Sequence, residues 1–453
     1  MLIRFSVENF LSFKDEVEFS MVAGRTRKHK DHIITSGKRN DIRLLKTGVI
    51  YGANASGKSN LIKAMAFAKD LIVRGTRAKQ TIPVIPYRFD SSTKNKHSKW
   101  QFEFKCNPSA YIYGFELDKT QIYSEWLYEI RPASEKMLFE RETDLDGRTK
   151  IKFGNISLTA EQDQMFLDFT AKGTRPNQLF LTESMERNIK YFENIYNWFD
   201  DSLVLIFPDT TPAGIEIAFM SDQDFQKQFR NLIKLFDLGI HDIRLEDFDF
   251  DTETRLPNEI KERIKQDIRE MNQESAERSV IQIPQLNILV FEDENNRIVS
   301  KKFMTSHQVD GKDELESLEL AEESDGTQRL FEIIPALLDL LSPEHERVFV
   351  IDELDRRLHS LLSYKILELF LTRSKNQRSQ LIVTTHEVGI LDLNLLRRDE
   401  IWFIEKDAKG ASSVYSLEEF LPRYDKDIRK SYSQGRFGAI PLLPSRHSLE
   451  LQT

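Results

Sequence analysis

The chain has 453 residues, enough for two or three compact units, and its 40% hydrophobic and 30% charged content excludes a largely disordered polypeptide. Acidic side chains outnumber basic ones for a net charge of −9, so whole-chain charge gives no support to nucleic-acid binding, and only a local basic face would serve that purpose. One cysteine, Cys106, excludes an intrachain disulfide and a cysteine-rich zinc site, and no apolar run is long enough to cross a bilayer.

The opening MLIRFSVENF lacks a basic segment followed by an apolar core, so no signal peptide is expected and the expected location is cytoplasmic. Met1–Glu8 and Val17–Met21 alternate apolar and polar residues and read as strands. A basic loop, Arg25 to Lys30 with Lys38 and Arg39 nearby, suits nucleotide phosphate, nucleic acid or a partner's acids, and equally an ordinary solvated turn. Thr47–Tyr51 is an apolar run that reads as a buried strand, and Lys58–Val73 has apolar residues at helical spacing. Between 82 and 153, segments such as WQFEFKC, YIYGFEL and KMLFERE predict an antiparallel β lobe, with Asp146–Gly147 as a turn. From 158 to 277 the pattern is mainly helical, with Ser202–Phe207 and Gly214–Phe219 as strands within it. Ile281–Phe291 reads as one further strand and Glu292–Asn296 as a polar turn. Beyond 324 strands and helices alternate. Gln328–Leu341 reads as a helix, Val348–Ile351 as a strand and Asp355–Leu371 as a helix with Leu358, Leu361, Leu362, Ile366 and Leu369 on one face. Leu381–Val383 and Ile401–Ile404 read as strands, which predicts a largely parallel sheet with ligands at the strands' carboxyl ends. Trp126, Trp198 and Trp402 sit in apolar stretches and read as packing residues.

Four segments carry the chemistry. Gly52-Ala53-Asn54-Ala55-Ser56-Gly57-Lys58-Ser59 satisfies G-x-x-x-x-G-K-[ST], and it lies between a strand and a helix. Its glycines let backbone N–H groups approach phosphate oxygens, the helix start adds a positive end, Lys58 reaches the β- and γ-phosphates, and Ser59 is a Mg²⁺ ligand. Asn54, Ala55, Ser56 and Asn60 complete the expected nucleotide contacts. The strand Val348–Ile351 ends in Asp352 and Glu353, the first placed for the Mg²⁺ shell and the second for orienting the attacking water. Next comes His386, after an apolar strand, as a donor to the γ-phosphate. The stretch Glu323–Leu330 (ESDGTQRL) on its own is a helix N-cap, with Ser324 or Asp325 as the cap; its place just before the acidic strand is that of an ABC signature motif.

This order of phosphate loop, long insertion, signature, acidic strand and switch histidine resembles the RecF/SMC-like ABC ATPases. Closer still is the similarity to AbiL/RloA-like and OLD-like ATPases of bacterial phage defence (abortive infection). It is carried by IRFSVENFLSFKDEVEFSM, YGANASGKSNLIKAM, NQLFLT, ESDGTQRL, VIDELDRRLH, RRDEIWFIEK and SQGRFGAIP, spread over nearly the whole chain. The resemblance implies an α/β fold, a P-loop NTPase of the ABC/SMC head type with an antiparallel β lobe and an inserted, mainly helical domain. The expected segments are 1–157 with the phosphate loop and β lobe, 158–277 as the insertion, and 278–453 with signature, acidic strand and switch histidine. It also implies that two heads pair around ATP, so that Ser324 and Gly326 of one meet the phosphate site of the other, with Asp355 sensing the opposing site. The signature SDGTQ lacks the second glycine of transporter heads, and Glu387 follows His386 where many relatives carry Asp or Ser.

The insertion lacks the heptads of long coiled-coil arms, and the tail after His386 is too short for the TOPRIM nuclease of OLD proteins. The expected activity is therefore ATP hydrolysis with ATP and Mg²⁺, controlling a homo-oligomer and a separate effector such as a nuclease or toxin in anti-phage defence. A RecF/SMC-like DNA repair or chromosome-maintenance ATPase, which keeps nucleic acid open as a partner, is the first alternative. An ATP-gated scaffold with little turnover is the second.

Overall fold

The computed structural model describes residues 1–35, 41–94, 96–106, 108–144, 146–156, 161–210, 214–274, 279–283, 286–293, 295–309, 314–422 and 427–440. Lys38 and Arg39 of the basic loop lie outside the described residues. In chain order the strands and helices begin with β1 (Leu2–Glu8), β2 (Val17–Ser20), β3 (Ile33–Ile34), β4 (Leu44–Leu45), β5 (Thr47–Tyr51) and α1 (Lys58–Arg74). Five strands follow, β6 (Ser98–Cys106), β7 (Ser109–Leu117), β8 (Ile122–Arg131), β9 (Ser134–Thr143) and β10 (Thr149–Phe153). Then come α2 (Glu161–Gly173), α3 (Phe180–Glu186), α4 (Glu193–Asn197) and β11 (Leu203–Ile206). The next stretch holds α5 (Ile215–Ser221), α6 (Gln223–Leu235), β12 (Ile240–Phe248), α7 (Asn258–Glu274), β13 (Val280–Ile283), β14 (Ile288–Glu292), β15 (Ile298–Gln308), β16 (Leu315–Glu319) and α8 (Asp325–Leu340). The chain closes with β17 (Val348–Ile351), α9 (Ser360–Arg373), β18 (Gln380–Thr385), β19 (Ile401–Lys406), β20 (Ser412–Ser416) and α10 (Ile428–Ser433).

The chain divides into two compact units. The first comprises Met1–Pro208, Leu340–Asp355 and Ile366–Thr453, and the second Asp209–Asp339 and Arg356–Lys365. The stretch 158–277 is thus shared between them, and the signature segment falls in the second.

In the first unit a six-stranded sheet runs β11-β17-β18-β5-β19-β20, with every pairing parallel except the last. Each residue of β5, β17 and β18 is buried. That burial explains why TGVIY, VFVI and QLIVTT are near-continuous runs rather than alternating ones, as expected for strands covered on both faces. Because β17, β18, β5 and β19 run parallel, the loops after them all emerge at one edge. A seven-stranded antiparallel sheet, β10-β9-β8-β7-β6-β1-β2, forms the β lobe. On β6, Trp100, Phe102 and Phe104 share one face and are fully buried, at the spacing of two that a strand requires. Trp198 and Trp402 are buried as packing residues.

The second unit holds the sheet β12-β15-β14-β13, with β16 paired to β15. Here two sequence expectations are corrected and a third, the mainly helical stretch, gains a strand. Gly214–Phe219 is helical, in α5, because Ile215 and Phe219 are both buried one turn apart while Ile217 between them is partly exposed. Ile281–Phe291 forms two strands rather than one, with Asn287 in the left-handed region (φ 54°) at the turn between them. The stretch taken as mainly helical also contains β12, whose pairing with β15 slips between Ile240 and Asp242. That irregularity breaks the alternation by which a strand is recognised.

The helix expected from Asp355 starts only at Ser360. Before it Arg357 takes φ 64°, and the His359 Nδ1 accepts from the Leu361 N–H at 3.2 Å. Leu361 is 72% exposed, so it does not share the buried face with Ile366 and Leu369.

Candidate nucleotide site

Helix α1 is placed by its apolar stripe. Leu61, Ile62, Met65, Ala68, Leu71 and Ile72 are buried at helical spacing, which fixes the helix start at the carboxyl end of β5. Two glycines set the loop between them. A Cβ on Gly52 would lie 2.4 Å from the Ile404 carbonyl oxygen, and Gly57 has φ 119° with the Ser412 hydroxyl 2.5 Å from where its Cβ would be. Neither position tolerates a side chain. The loop is also clamped from outside. The Ser412 hydroxyl donates to the Ser56 carbonyl (2.5 Å), and Asn60 donates to the Ser12 hydroxyl (2.8 Å). The Ser412 N–H completes the clamp by donating to the Ser12 carbonyl (2.8 Å).

A cavity of about 480 Å³ opens over this loop, lined by Asn54, Ala55, Ser56, Gly57, Lys58, Ser59, Asn60, Glu353, His386 and Lys406. Lys58 is buried, and its ammonium donates to the carbonyls of Gly52 (2.8 Å) and Ala53 (3.1 Å). Its Nζ also lies 3.3 Å from His386 Nδ1. Burial pulls the Lys58 pKa down to about 8, against the opposing pull of the Asp352, Asp355 and Glu353 carboxylates. Burial and then the Lys58 charge lower the pKa of His386 as well. A neutral His386 whose Nδ1 accepts from Lys58 fits both shifts.

The acids at the end of β17 are organised by a residue of β18. Thr384 is fully buried; its hydroxyl donates to Asp352 Oδ1 (2.6 Å) and accepts from the Glu353 N–H (2.7 Å). Glu353 itself sits at φ 50°, a left-handed conformation that a non-glycine residue adopts at a cost of about 1–3 kcal/mol. Leu354 N–H bonds to the Thr384 carbonyl (3.0 Å), so the turn is pinned on both sides of the strained residue. Asp355 accepts from the His386 N–H at 3.2 Å.

The structure thus gathers Lys58, Asp352, Glu353, Asp355 and His386 at the ends of three neighbouring parallel strands, with Asn54 to Asn60 as the floor. Ser324 and Gly326 belong to the second unit. There Ser324 is the N-cap of α8, its hydroxyl accepting from the Thr327 N–H at 3.2 Å. A Cβ on Gly326 would lie 2.9 Å from the Arg357 carbonyl oxygen, so the glycine permits a close backbone approach. Sequence reasoning missed Thr384 as the organiser of the acids, Lys406 as a lining cation, and the Ser12–Ser412 clamp. Each depends on pairing between residues distant in sequence. The one available signal was that Thr384 and Lys406 both end apolar strands of the α/β pattern.

The donor set fits a nucleotide with Mg²⁺. The 17-residue α1 has no side-chain cap at its N-terminus, which leaves its first-turn N–H groups for an anion. No cluster of three or more His, Cys, Asp or Glu side chains suited to a metal occurs among the described residues. Ser59 on the cavity wall and Asp352 at the end of β17 are the residues that would hold Mg²⁺, with phosphate oxygens and waters completing its shell.

A buried strand, a glycine loop wrapped on a helix start, and an acid pair at the end of a parallel strand two places away define the P-loop nucleotide-binding class. Residues 49–392, about three quarters of the chain, match the family described as "AAA domain, putative AbiEii toxin, Type IV TA system". The chain belongs to that family of AAA-type ATPase domains. No curated protein matches it significantly. Among solved structures it is similar to the SMC head domain from Thermotoga maritima, at 15% identity and TM-score 0.37, covering 92% of this chain and 98% of that one. It is also similar to an SMC head bound to the C-terminal winged-helix domain of ScpA (13%, TM-score 0.38; 93% and 99% covered). A third is an SMC head with an extended coiled coil, bound to the C-terminal domain of ScpA from Pyrococcus furiosus (14%, TM-score 0.36; 96% and 99% covered). At such scores nothing functional rests on these three. No helix among the described residues is long and apolar enough to cross a membrane.

Proposed function

We propose that the chain hydrolyses ATP at this site and uses the nucleotide cycle to control its own pairing and a separate effector, a nuclease or toxin, in bacterial anti-phage defence. The observation that carries the catalytic half is the Asp352–Thr384–Glu353 arrangement facing Lys58 and His386. Loop N–H groups and Lys58 hold the phosphates, and Glu353 holds the attacking water in line. His386 donates to the γ-phosphate once Lys58 turns from it to the nucleotide. Mg²⁺ bound by Ser59 and Asp352 would supply charge neutralisation at the β- and γ-phosphates. Ser324 and Gly326, at the start of α8, are the residues we assign to closing the site of a second copy. Asp355, already bonded to the backbone of His386, is the residue we assign to reporting that closure. The defence role is supported by the family's description as a toxin–antitoxin component.

Phosphate release from ATP tests the first half; a Glu353→Gln variant that turns over at the parent rate overturns it. Recovery of the tagged chain from its native locus tests the second. A neighbouring-gene nuclease or toxin in stoichiometric amount supports effector control, whereas repair and replication factors with DNA-stimulated, salt-sensitive activity would replace it by the DNA-maintenance reading.

A further inference from the structure

The cavity over the phosphate loop contains a cation that none of the nucleotide motifs supplies. Lys406 is the last residue of β19, it is exposed, and it lines the same cavity as Asn54 to Asn60, Glu353 and His386. It forms no ion pair with any described residue.

Its direction is fixed by pairing. Lys406 is the cross-strand partner of Ser412, and directly opposed residues of an antiparallel pair project on the same face. The Ser412 side chain on that face reaches the phosphate loop, donating to the Ser56 carbonyl. Glu405 points to the other face, where its carboxylate accepts from the Tyr415 hydroxyl at 3.2 Å. Of the two adjacent acids, Glu405 is therefore turned away and the Asp407 carboxylate accepts from the backbone N–H groups of Lys409 and Ala411, so neither pairs with Lys406.

Its position along the nucleotide follows from strand order. β5 carries the loop, β18 and β17 lie on one side of it and β19 on the other. The groups placed to act on the γ-phosphate, His386 after β18 and Glu353 after β17, are all on the first side. A nucleotide whose terminal phosphate meets Lys58, Glu353 and His386 must run its remaining length away from them, towards the β19 side. On this basis, and resting on the ATP-site reading above, we propose that Lys406 is a positioning residue that binds the α-phosphate end of the nucleotide, common to ATP and ADP. Lys58 reads the terminal phosphates; Lys406 holds the part that remains after hydrolysis. Its place beyond β5 from Glu353 and His386 assigns it to affinity and ADP retention rather than to the chemical step.

The test is calorimetric titration of the full-length chain with Mg–ATP and Mg–ADP, the ATP arm in the Glu353→Gln background to suppress turnover. Lys406→Ala is expected to raise the Kd of both nucleotides by a similar factor, about five- to tenfold for one exposed charge-assisted contact. Lys406→Arg should restore most of the affinity. Because Lys406 is exposed, folding is not at stake, and an unchanged melting temperature confirms it. Unchanged Kd values for both nucleotides, with the unsubstituted chain binding normally, overturn the proposal while leaving the ATP site intact. Weakened ATP binding with unchanged ADP binding also overturns it, since that places the cation at the γ-phosphate. A chain with native Lys406 that binds neither nucleotide overturns the ATP-site reading itself, and the role of Lys406 with it.

Discussion

Replacing Thr384 by valine should separate nucleotide binding from turnover. The change keeps the side chain's shape and removes only the hydroxyl, at a position with no solvent access. Two bonds are lost, one to the Asp352 carboxylate at 2.6 Å and one from the Glu353 N–H at 2.7 Å. A hydrogen bond to a charged group contributes about 1.5–3 kcal/mol and a neutral one about 0.5–1.5, so some 2–4 kcal/mol of local anchoring disappears. Against that anchoring stands the left-handed backbone of Glu353, which stores about 1–3 kcal/mol and is released when the turn relaxes. The two are comparable, so Glu353 should leave its position without unfolding β18. A displacement of about 1 Å in a catalytic group costs on the order of a hundredfold in rate. Steady-state phosphate release should therefore show kcat down about 10²-fold. The Kd for ADP measured without Mg²⁺ should change little, since the loop and Lys58 are untouched. Thr384→Ser, which keeps the hydroxyl, should recover most of the rate. Parent-like kcat in Thr384→Val would refute the view that this hydroxyl holds the acid pair, and equal loss in the serine variant would show that methyl packing matters instead.

The remaining predictions address other parts of the site. Lys58→Ala should abolish detectable ATP binding by calorimetry, because the phosphates lose their buried cation; normal affinity would sink the site assignment. Glu353→Gln should keep ATP binding, lose turnover and accumulate paired heads, read as a doubled native mass with ATP. An unchanged mass together with parent-rate hydrolysis would mean that the catalytic assignment is wrong. For pH, burial lowers the free-state pKa of Lys58 to about 8, so at about pH 8.5 most free protein carries it neutral, whereas bound phosphates favour the charged form. Binding at that pH should take up a proton and affinity should fall as pH rises above about 8. Calorimetry in two buffers of different ionisation heat reads the uptake, and zero uptake contradicts the lowered value.

The parts of the site that were legible in the sequence are those built from contiguous residues. Gly52 to Ser59 carries its own geometry, since the glycines, the lysine and the following apolar stripe of α1 all lie within one stretch. β17 was legible for a similar reason, because a strand buried on both faces has few sequences open to it other than one like VFVI. What was not legible arises from register between distant segments. Thr384 meets Asp352 only because β17 and β18 pair in parallel with Ile351 opposite Val383, which sets the two strand ends side by side. Nothing in the local sequence distinguishes it from Thr385, which faces elsewhere and accepts from the Glu387 N–H. In the second unit the misread elements are short and amphipathic. GIEIAF satisfies both the alternation of a strand and the four-residue step of a helix, and the burial of Ile215 with Phe219 decides for the helix. Arg357, with its left-handed backbone, and Leu358 lie before the start of the helix at Ser360, whereas Leu361 lies inside α9 but on its exposed side.

The clamp on the phosphate loop bears on how nucleotide would be felt elsewhere in the first unit. Ser412 donates its N–H to the Ser12 carbonyl and its hydroxyl to the Ser56 carbonyl, and the Ser12 hydroxyl accepts from Asn60 in the first turn of α1, yet one serine follows β1 of the β lobe and the other opens β20 at the edge of the parallel sheet. Ser12 sits among strained residues, Asn9 and Leu11 both at φ 52°, and Asn9 is fixed by bonds from its side chain to the carbonyls of Thr93 and Lys96. The turn carrying Ser12 is thus tied to the segment before β6, and at the start of β6 the Ser98 hydroxyl donates to the Asn9 carbonyl. Ser12→Ala removes the acceptor for the Asn60 amide while leaving Asn9 and its bonds in place. If the β lobe merely supports the loop, the variant should bind Mg–ADP more weakly, by a factor of a few, with unchanged amide-exchange protection in β1 and β6. If the clamp couples the two, ADP should raise protection in β1 and β6 of the native chain and fail to do so in Ser12→Ala. Unchanged exchange in both proteins on adding ADP would refute coupling and leave Ser12 as a purely local brace.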